Sequence, residues 1–363
     1  MKKVGIFTGS KIAPNVDKLL LNIGEMLSSS FHLDTIGSAE ISSTLKEYYQ
    51  HRRYGGEMDV EGSKRIKQAF YNCLKYCQKE DPDILIQITK YPIYALPVSL
   101  VGYLRSVPTI VRVSGDHFND YKIRRDDIEE LIRILIMNNI LGGLPLKLAD
   151  KVIVISKELK DKTIKKGCDP NKIALIPQPI DTERFSSVST IEKETLRKEL
   201  DLPSDKIIVL YVGRLTKTKG LPLLEKTISR YDRKDLLFCL IGEGVYGPKL
   251  EKKYPSKVKY IGYVEHDKIN RYYRVSDLLV HPSPLEGVPN TLLEAMTVGI
   301  PVMARDAEYS RELCVPTFNN SKELLKMLND DWKTTPLPER FRRNNLKEKY
   351  IEVINKTIEG GKP

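Results

Sequence analysis

One feature constrains this chain of 363 residues more than any other: an alternation of short apolar runs and amphipathic stretches that goes through its first half and then starts again. Residues 4–8 form the first apolar run, stopped by Gly9-Ser10. Val16, Leu19, Leu20, Ile23 and Leu27 then recur at helical spacing, and Ile66, Phe70, Cys73, Leu74 and Cys77 do the same. Asp81-Pro82-Asp83 breaks that second helix, and apolar runs follow at residues 84–89, Thr109–Val113, 152–155 and 173–177, with a strongly apolar helix expected over 128–141. The series restarts with Ile207–Val212, a helix over 221–229, Leu236–Ile241, and runs at 258–261, 278–280 and 301–304. A strand that is apolar throughout is buried on both faces, and parallel strands need a crossover that a helix supplies. The expected fold class is therefore α/β, with parallel sheets covered by helices on both sides.

A chain of this length exceeds one ordinary core, so two domains are expected. Pro177-Gln178-Pro179-Ile180-Asp181 and the polar stretch 186–206 mark the hinge. The expected domains are residues 1–185 and 186–343, with a last helix near 344–358 after Pro336 and Pro338. No apolar run approaches the ~20 residues that cross a bilayer. The opening segment turns polar within a few residues and reads as a strand instead of an export signal, so a cytoplasmic protein is the expectation. Five cysteines give no disulfide framework, and Cys73 and Cys77 read as buried thiols with no zinc site around them.

The formal charge is +11, and most of it lies late in the chain: residues 151–363 carry 39 basic and 30 acidic side chains, a balance of +9. Solvated helix faces explain most of that excess; attraction to phosphates or an anionic membrane is the sharper reading. No nucleic-acid module is recognisable, so that partner is excluded.

In a doubly wound sheet, ligands bind beyond the carboxyl ends of the strands. Two segments there carry chemistry. Gly213-Arg214-Leu215-Thr216-Lys217-Thr218-Lys219-Gly220 sets two cations, Arg214 and Lys219, beside a glycine turn. That suits a diphosphate, although an exposed basic loop has the same composition. Glu286-Gly287-Val288-Pro289-Asn290-Thr291-Leu292-Leu293-Glu294 opens a helix near Pro289, with Asn290 or a neighbour as its cap. Free N–H groups at that start make a phosphate site, and Glu286 and Glu294 can border one pocket. Glu294 also reads as an exposed first-turn glutamate favoured by the helix dipole. Asp81-Pro82-Asp83 has the spacing of metal-binding carboxylates but precedes a strand, at the amino edge, and reads as a turn.

Glu286 and Glu294, seven residues apart in between, resemble the paired-glutamate motif of retaining glycosyltransferases of family 4. Gly213-Arg214-Leu215 with Lys219-Gly220, Ile241-Gly242-Glu243-Gly244, Tyr272-Tyr273 with Ser276-Asp277, His281-Pro282-Ser283, Glu294-Ala295-Met296 and Gly299-Ile300-Pro301-Val302 follow in that family's order. Segments 149–156 and 179–185 are similar to it less tightly. The resemblance implies a GT-B fold: two facing Rossmann-like, doubly wound domains, with the C-terminal helix (344–363) crossing back to the first. It implies that Arg214 and Lys219 hold the diphosphate of a nucleotide-sugar, that Glu294 meets the ribose and that Glu286 meets the sugar hydroxyls. Gly213, Glu243, Gly244, Gly287, Val288, Asn290, Thr291 and Leu292 complete the donor site. On the first domain, Gly9, Ser10 and Asp116 border the sugar, and His117 stands near the transferred sugar or is an ordinary loop histidine.

The family often has paired glycines where this chain has Gly9-Ser10-Lys11, and Gly-Gly where it has the charged stretch 305–312. The resemblance thus implies a retaining transferase that moves a hexose-type sugar to a glycan or lipid-linked acceptor, with no cofactor and no metal. The sugar, base and acceptor stay open. A sugar-nucleotide epimerase on a similar fold and a nucleotide-sugar-binding protein without turnover are the alternatives.

Overall fold

A computed structural model of the chain describes residues 1–56, 62–115, 142–265 and 267–361. They form two compact units, Met1–Pro179 with Arg342–Pro363, and Ile180–Phe341. The first unit holds strands β1 (Lys3–Gly9), β2 (His32–Gly37), β3 (Gln50–Arg52), β4 (Ile84–Gln87), β5 (Thr109–Val113), β6 (Lys151–Val154) and β7 (Ile173–Leu175). They join in the order β3-β2-β1-β4-β5-β6-β7, every pair parallel. The alternation of side chains along β1 explains its burial on both faces. Val4 and Ile6 pack with Leu19, Leu20 and Ile23 of the helix Pro14–Leu27, while Phe7 joins Cys73, Cys77, Val98 and Val101 on the opposite face. Cys73 and Cys77 are free and buried. Asp81 has a positive φ of 47°, and the Asp83 carboxylate accepts the Lys3 N–H at 2.6 Å, so this acidic pair is a turn at the amino edge of the sheet.

The last helix, Arg343–Glu359, buries Leu346, Tyr350 and Ile354 in the same cluster as Val4, Ile6 and Ile110. Their spacing of four sets them on one face, so the end of the chain belongs to the first unit. The division at Pro179/Ile180 lies within the expected hinge 177–181 and six residues before the expected domain bound of 185/186. Ile180 and Phe185 are buried with Tyr273 and Leu292 in the second core, and the Phe185 ring meets Tyr273 edge-on at 5.6 Å, so residues from 180 onward belong to the second unit.

That unit holds β8 (Ile207–Val212), β9 (Leu236–Ile241), β10 (Val258–Gly262), β11 (Leu278–His281), β12 (Val302–Arg305) and β13 (Thr317–Phe318). The order is β10-β9-β8-β11-β12-β13, again all parallel. The order reverses between β8 and β11, where the crossovers diverge to opposite faces and leave a crevice at the carboxyl ends. The corresponding point in the first unit lies between β1 and β4. There Gly9, with a φ of +86°, approaches Tyr94 so closely that an added Cβ would lie 2.4 Å from its ring. The Ser10 N–H donates to the Tyr94 hydroxyl at 3.3 Å.

Candidate active site

The chain leaves β8 through Gly213, whose φ is 148°, and makes a short 3-10 turn over Lys217–Lys219. Gly220 then starts the helix Leu221–Arg230 with a φ of 81°. A Cβ on Gly220 would lie 2.0 Å from the Pro282 carbonyl oxygen, so only glycine lets this loop close on the segment after β11. The next loop is locked to it. The Leu215 N–H donates to the Glu243 carbonyl at 2.7 Å, and a Cβ on Gly244 would meet the Leu215 oxygen at 2.3 Å. Gly244 is thus required for packing, and the Glu243 side chain stays exposed.

This closure brings Lys219, after β8, onto Glu286, after β11, where the ammonium bonds the carboxylate Oε1. The Arg214 guanidinium is exposed and makes no hydrogen bond or ion pair among the described residues. Its backbone oxygen accepts the Tyr211 hydroxyl at 2.8 Å, which fixes the turn below it. Arg214 is thus exposed as either reading of this loop allows, whereas Lys219 is half-buried and committed to a carboxylate.

Burial works against ionising Glu286, but His281, the Lys219 charge, and hydrogen bonds from Lys219 and Ser283 outweigh it and hold the carboxyl below its ordinary range. His281 itself is enclosed, and burial lowers its pKa from 6.5 to about 4. It is neutral at pH 7, so Lys219 is the full charge that keeps Glu286 ionised there. The His281 Nδ1 lies 3.3 Å from the Thr291 hydroxyl, and its Nε2 lies 3.8 Å from Glu286 Oε1. The Tyr309 ring packs edge-on against the imidazole at 5.7 Å, and its hydroxyl donates to the Ser283 carbonyl at 2.6 Å. In the sequence His281 lies in a segment similar to the family and Tyr309 in the stretch 305–312 that departs from it, and neither has a role assigned there.

The helix Asn290–Val298 starts at Pro289, and no side chain caps it. Asn290 is therefore not the cap, because it is already the first helical residue. Leu292 is a core residue, and its N–H bonds the Pro289 oxygen at 3.2 Å. The N–H groups left at the helix start are those of Asn290 and Thr291. Val288 also turns its side chain into the core, and Gly287 is half-buried between it and Glu286. Glu294 is 1% exposed and accepts the Tyr273 hydroxyl at 2.6 Å, which overturns the reading of an exposed first-turn glutamate. Burial, then the Glu294 charge, pushes the Tyr273 hydroxyl well above its ordinary pKa, so it keeps the proton that it donates to Glu294. In the charged stretch 305–312, Asp306 pairs with Arg311 at 2.9 Å, and the Ser310 hydroxyl donates to the Arg305 oxygen at 2.8 Å. Asp116 and His117, and the helix expected over 128–141, lie outside the described residues.

Cations and a carboxylate thus stand at the reversal of strand order in a doubly wound α/β unit, the place where such folds bind ligands. Residues 192–347 match the family described as glycosyl transferases group 1, and residues 46–184 match glycosyltransferase family 4. The chain belongs to the group 1 glycosyltransferases, and its fold class is GT-B. The alpha-monoglucosyldiacylglycerol synthase of Acholeplasma laidlawii is 26% identical over 233 residues, 56% of this chain and 58% of that protein, so the match spans little over half of the relative. The sucrose-phosphate synthase of Thermosynechococcus elongatus has a TM-score of 0.76 at 17% identity, covering 99% of this chain and 100% of that one. Anabaena HepE, solved in complex with UDP and glucose, has a TM-score of 0.74 at 18% identity, covering 98% and 99%. Among the described residues, no helix is long and apolar enough to cross a membrane.

Proposed function

We propose that the chain transfers a hexose-type sugar from a nucleoside-diphosphate sugar to a glycan or lipid-linked acceptor, with retention at the anomeric carbon and without a metal ion. The observation that carries this is the pairing of Lys219 with Glu286 beside Arg214, which is unpaired among the described residues, at the point where strand order reverses. As the glycosidic bond breaks, positive charge grows on the sugar ring and negative charge on the leaving diphosphate. Fixed positive groups aimed at that diphosphate lower the barrier. Arg214, Lys219 and the N–H groups of Asn290 and Thr291 are those groups. They carry the role that a metal has elsewhere, which supports metal independence. Glu286 then faces the sugar hydroxyls and Glu294 the ribose, while Asp116, His117, Gly9 and Ser10 serve the sugar and acceptor. Retention rests on the family resemblance. The UDP complex of HepE favours a UDP-sugar as donor. The glycolipid named in the Acholeplasma relative favours a lipid-linked acceptor, reached by peripheral contact with an anionic membrane at its cytoplasmic face.

A panel of UDP-, GDP- and ADP-hexoses tests the reading. The true donor raises the melting temperature by mass action. That donor should then release its sugar slowly to water and quickly to the acceptor, and EDTA should leave the rate unchanged. An epimerised nucleotide-sugar, an intact donor, or activity lost to EDTA and restored by magnesium would each overturn the corresponding part.

A further inference from the structure

The imidazole of His281 is buried with its Nε2 bonded to nothing among the described residues. The Thr291 hydroxyl, 3.3 Å from Nδ1, can serve as donor or acceptor, so the Glu286 carboxylate beside Nε2 selects the tautomer. If the hydroxyl donates to Nδ1, the proton sits on Nε2 and points toward the carboxylate of Glu286. The opposite tautomer would aim a lone pair at that carboxylate 3.8 Å away, which electrostatics disfavours. His281 therefore presents an unused N–H donor about 1 Å too far from Glu286 for a hydrogen bond. Glu286 meanwhile is held by Lys219.

We propose that His281 is the positioning residue that takes over Glu286 when Lys219 turns to the diphosphate. This rests on the reading of Lys219 given above. Glu286 keeps the Ser283 hydroxyl as a donor, but its side chain is only 21% exposed, so an ammonium that moves to phosphate leaves a carboxylate oxygen that another donor must satisfy. His281 is suited to it because it is neutral: it satisfies one carboxylate oxygen without taking positive charge away from the leaving group. The second oxygen stays open for a sugar hydroxyl. Tyr309 and Thr291 hold the imidazole from two further sides, so the small motion falls to Glu286.

The test uses full-length protein labelled with 15N-histidine, five histidines in all, with the His281 signals assigned through His281→Gln. Addition of UDP, with GDP and ADP run alongside, should shift the His281 Nε2–H proton downfield. Lys219→Ala should show the shifted signal with no nucleotide present, because Glu286 is already released. A nucleotide bound by calorimetry without that shift would overturn the proposal and leave the diphosphate site intact. No nucleotide binding would overturn the diphosphate reading, and the Lys219→Ala spectrum would still decide His281: an unshifted signal there sinks the idea. Binding separates the role from mere packing. His281→Phe should weaken nucleotide binding about tenfold, whereas His281→Gln, which keeps an N–H near Nε2, should stay within about threefold. Equal losses in the two variants would count against the proposal.

Discussion

Removing one cation at a time should separate the two phosphate ligands by opposite orders of effect. Lys219 and Glu286 are each 21% exposed at the side chain, so their pair is neither a surface contact nor fully buried. Exposed pairs contribute about 0–1 kcal/mol, and breaking a buried one costs roughly 3–5 kcal/mol, so Lys219→Ala should destabilise the nucleotide-free protein by about 1–3 kcal/mol. Part of that cost is a carboxylate that has lost its cation and keeps only neutral donors, so Glu286→Gln in the Lys219→Ala background should recover part of it. Arg214 is exposed and makes no bond among the described residues, so Arg214→Ala should change stability by less than about 0.5 kcal/mol. Nucleotide affinity should rank the other way. A charge-assisted bond to phosphate contributes about 1.5–3 kcal/mol, so Arg214→Ala should weaken binding roughly tenfold to a hundredfold. Lys219→Ala should cost less, because in the wild type its ammonium must first leave Glu286. Urea denaturation and calorimetry with UDP, GDP and ADP read the two scales. If Arg214→Ala destabilised as much as Lys219→Ala, or if both left every nucleotide within twofold, the assignment of these cations to the diphosphate would fail.

Acid should expose His281: the unfolded chain binds a proton at about 6.5 that the native site refuses until about 4, so native stability falls as pH drops through that window. Full realisation of the shift is worth about 3 kcal/mol, and His281→Phe should flatten this limb in urea titrations between pH 7 and 4.5. Glu286 and Lys219 are the charged groups facing the ring, and Glu286, held below 4.5, adds its own loss only at lower pH. Gly220→Ala should destabilise by at least about 2 kcal/mol, since it combines a positive φ with a 2.0 Å approach to the Pro282 oxygen; an unchanged melting curve would contradict the loop closure. His117→Ala should slow sugar transfer while leaving nucleotide affinity within about twofold, as expected of a group that acts on the transferred sugar; a wild-type rate would make it an ordinary loop residue.

The strands that bear the candidate site were legible because their signal is local. Ile207–Val212 and Leu236–Ile241 are unbroken apolar runs, and the glycines after them mark the edges where ligands bind. Their fold class follows from alternation, which needs no knowledge of what packs on what. The missed strands lack that signal. β2 carries His32, Asp34 and Thr35, β3 is Gln50-His51-Arg52, and β13 has two residues, so they are strands only because a neighbour's ladder accepts them. The division at 179/180 falls inside the expected hinge 177–181, but the domain bound was set six residues late, because the stretch from Ile180 to Phe185 is assigned by the core it enters. Within the site, the sequence by itself determined which residue types follow each strand. Only the tertiary structure decided their partners. Lys219 and Glu286 are 67 residues apart and meet because β8 and β11 are neighbours in the sheet. Glu294 is buried because Tyr273 comes from a different helix to meet it. His281 is left with one unused donor because Thr291 takes its other nitrogen. Strand order sets these distances, and strand order is a property of the folded sheet that no local pattern encodes.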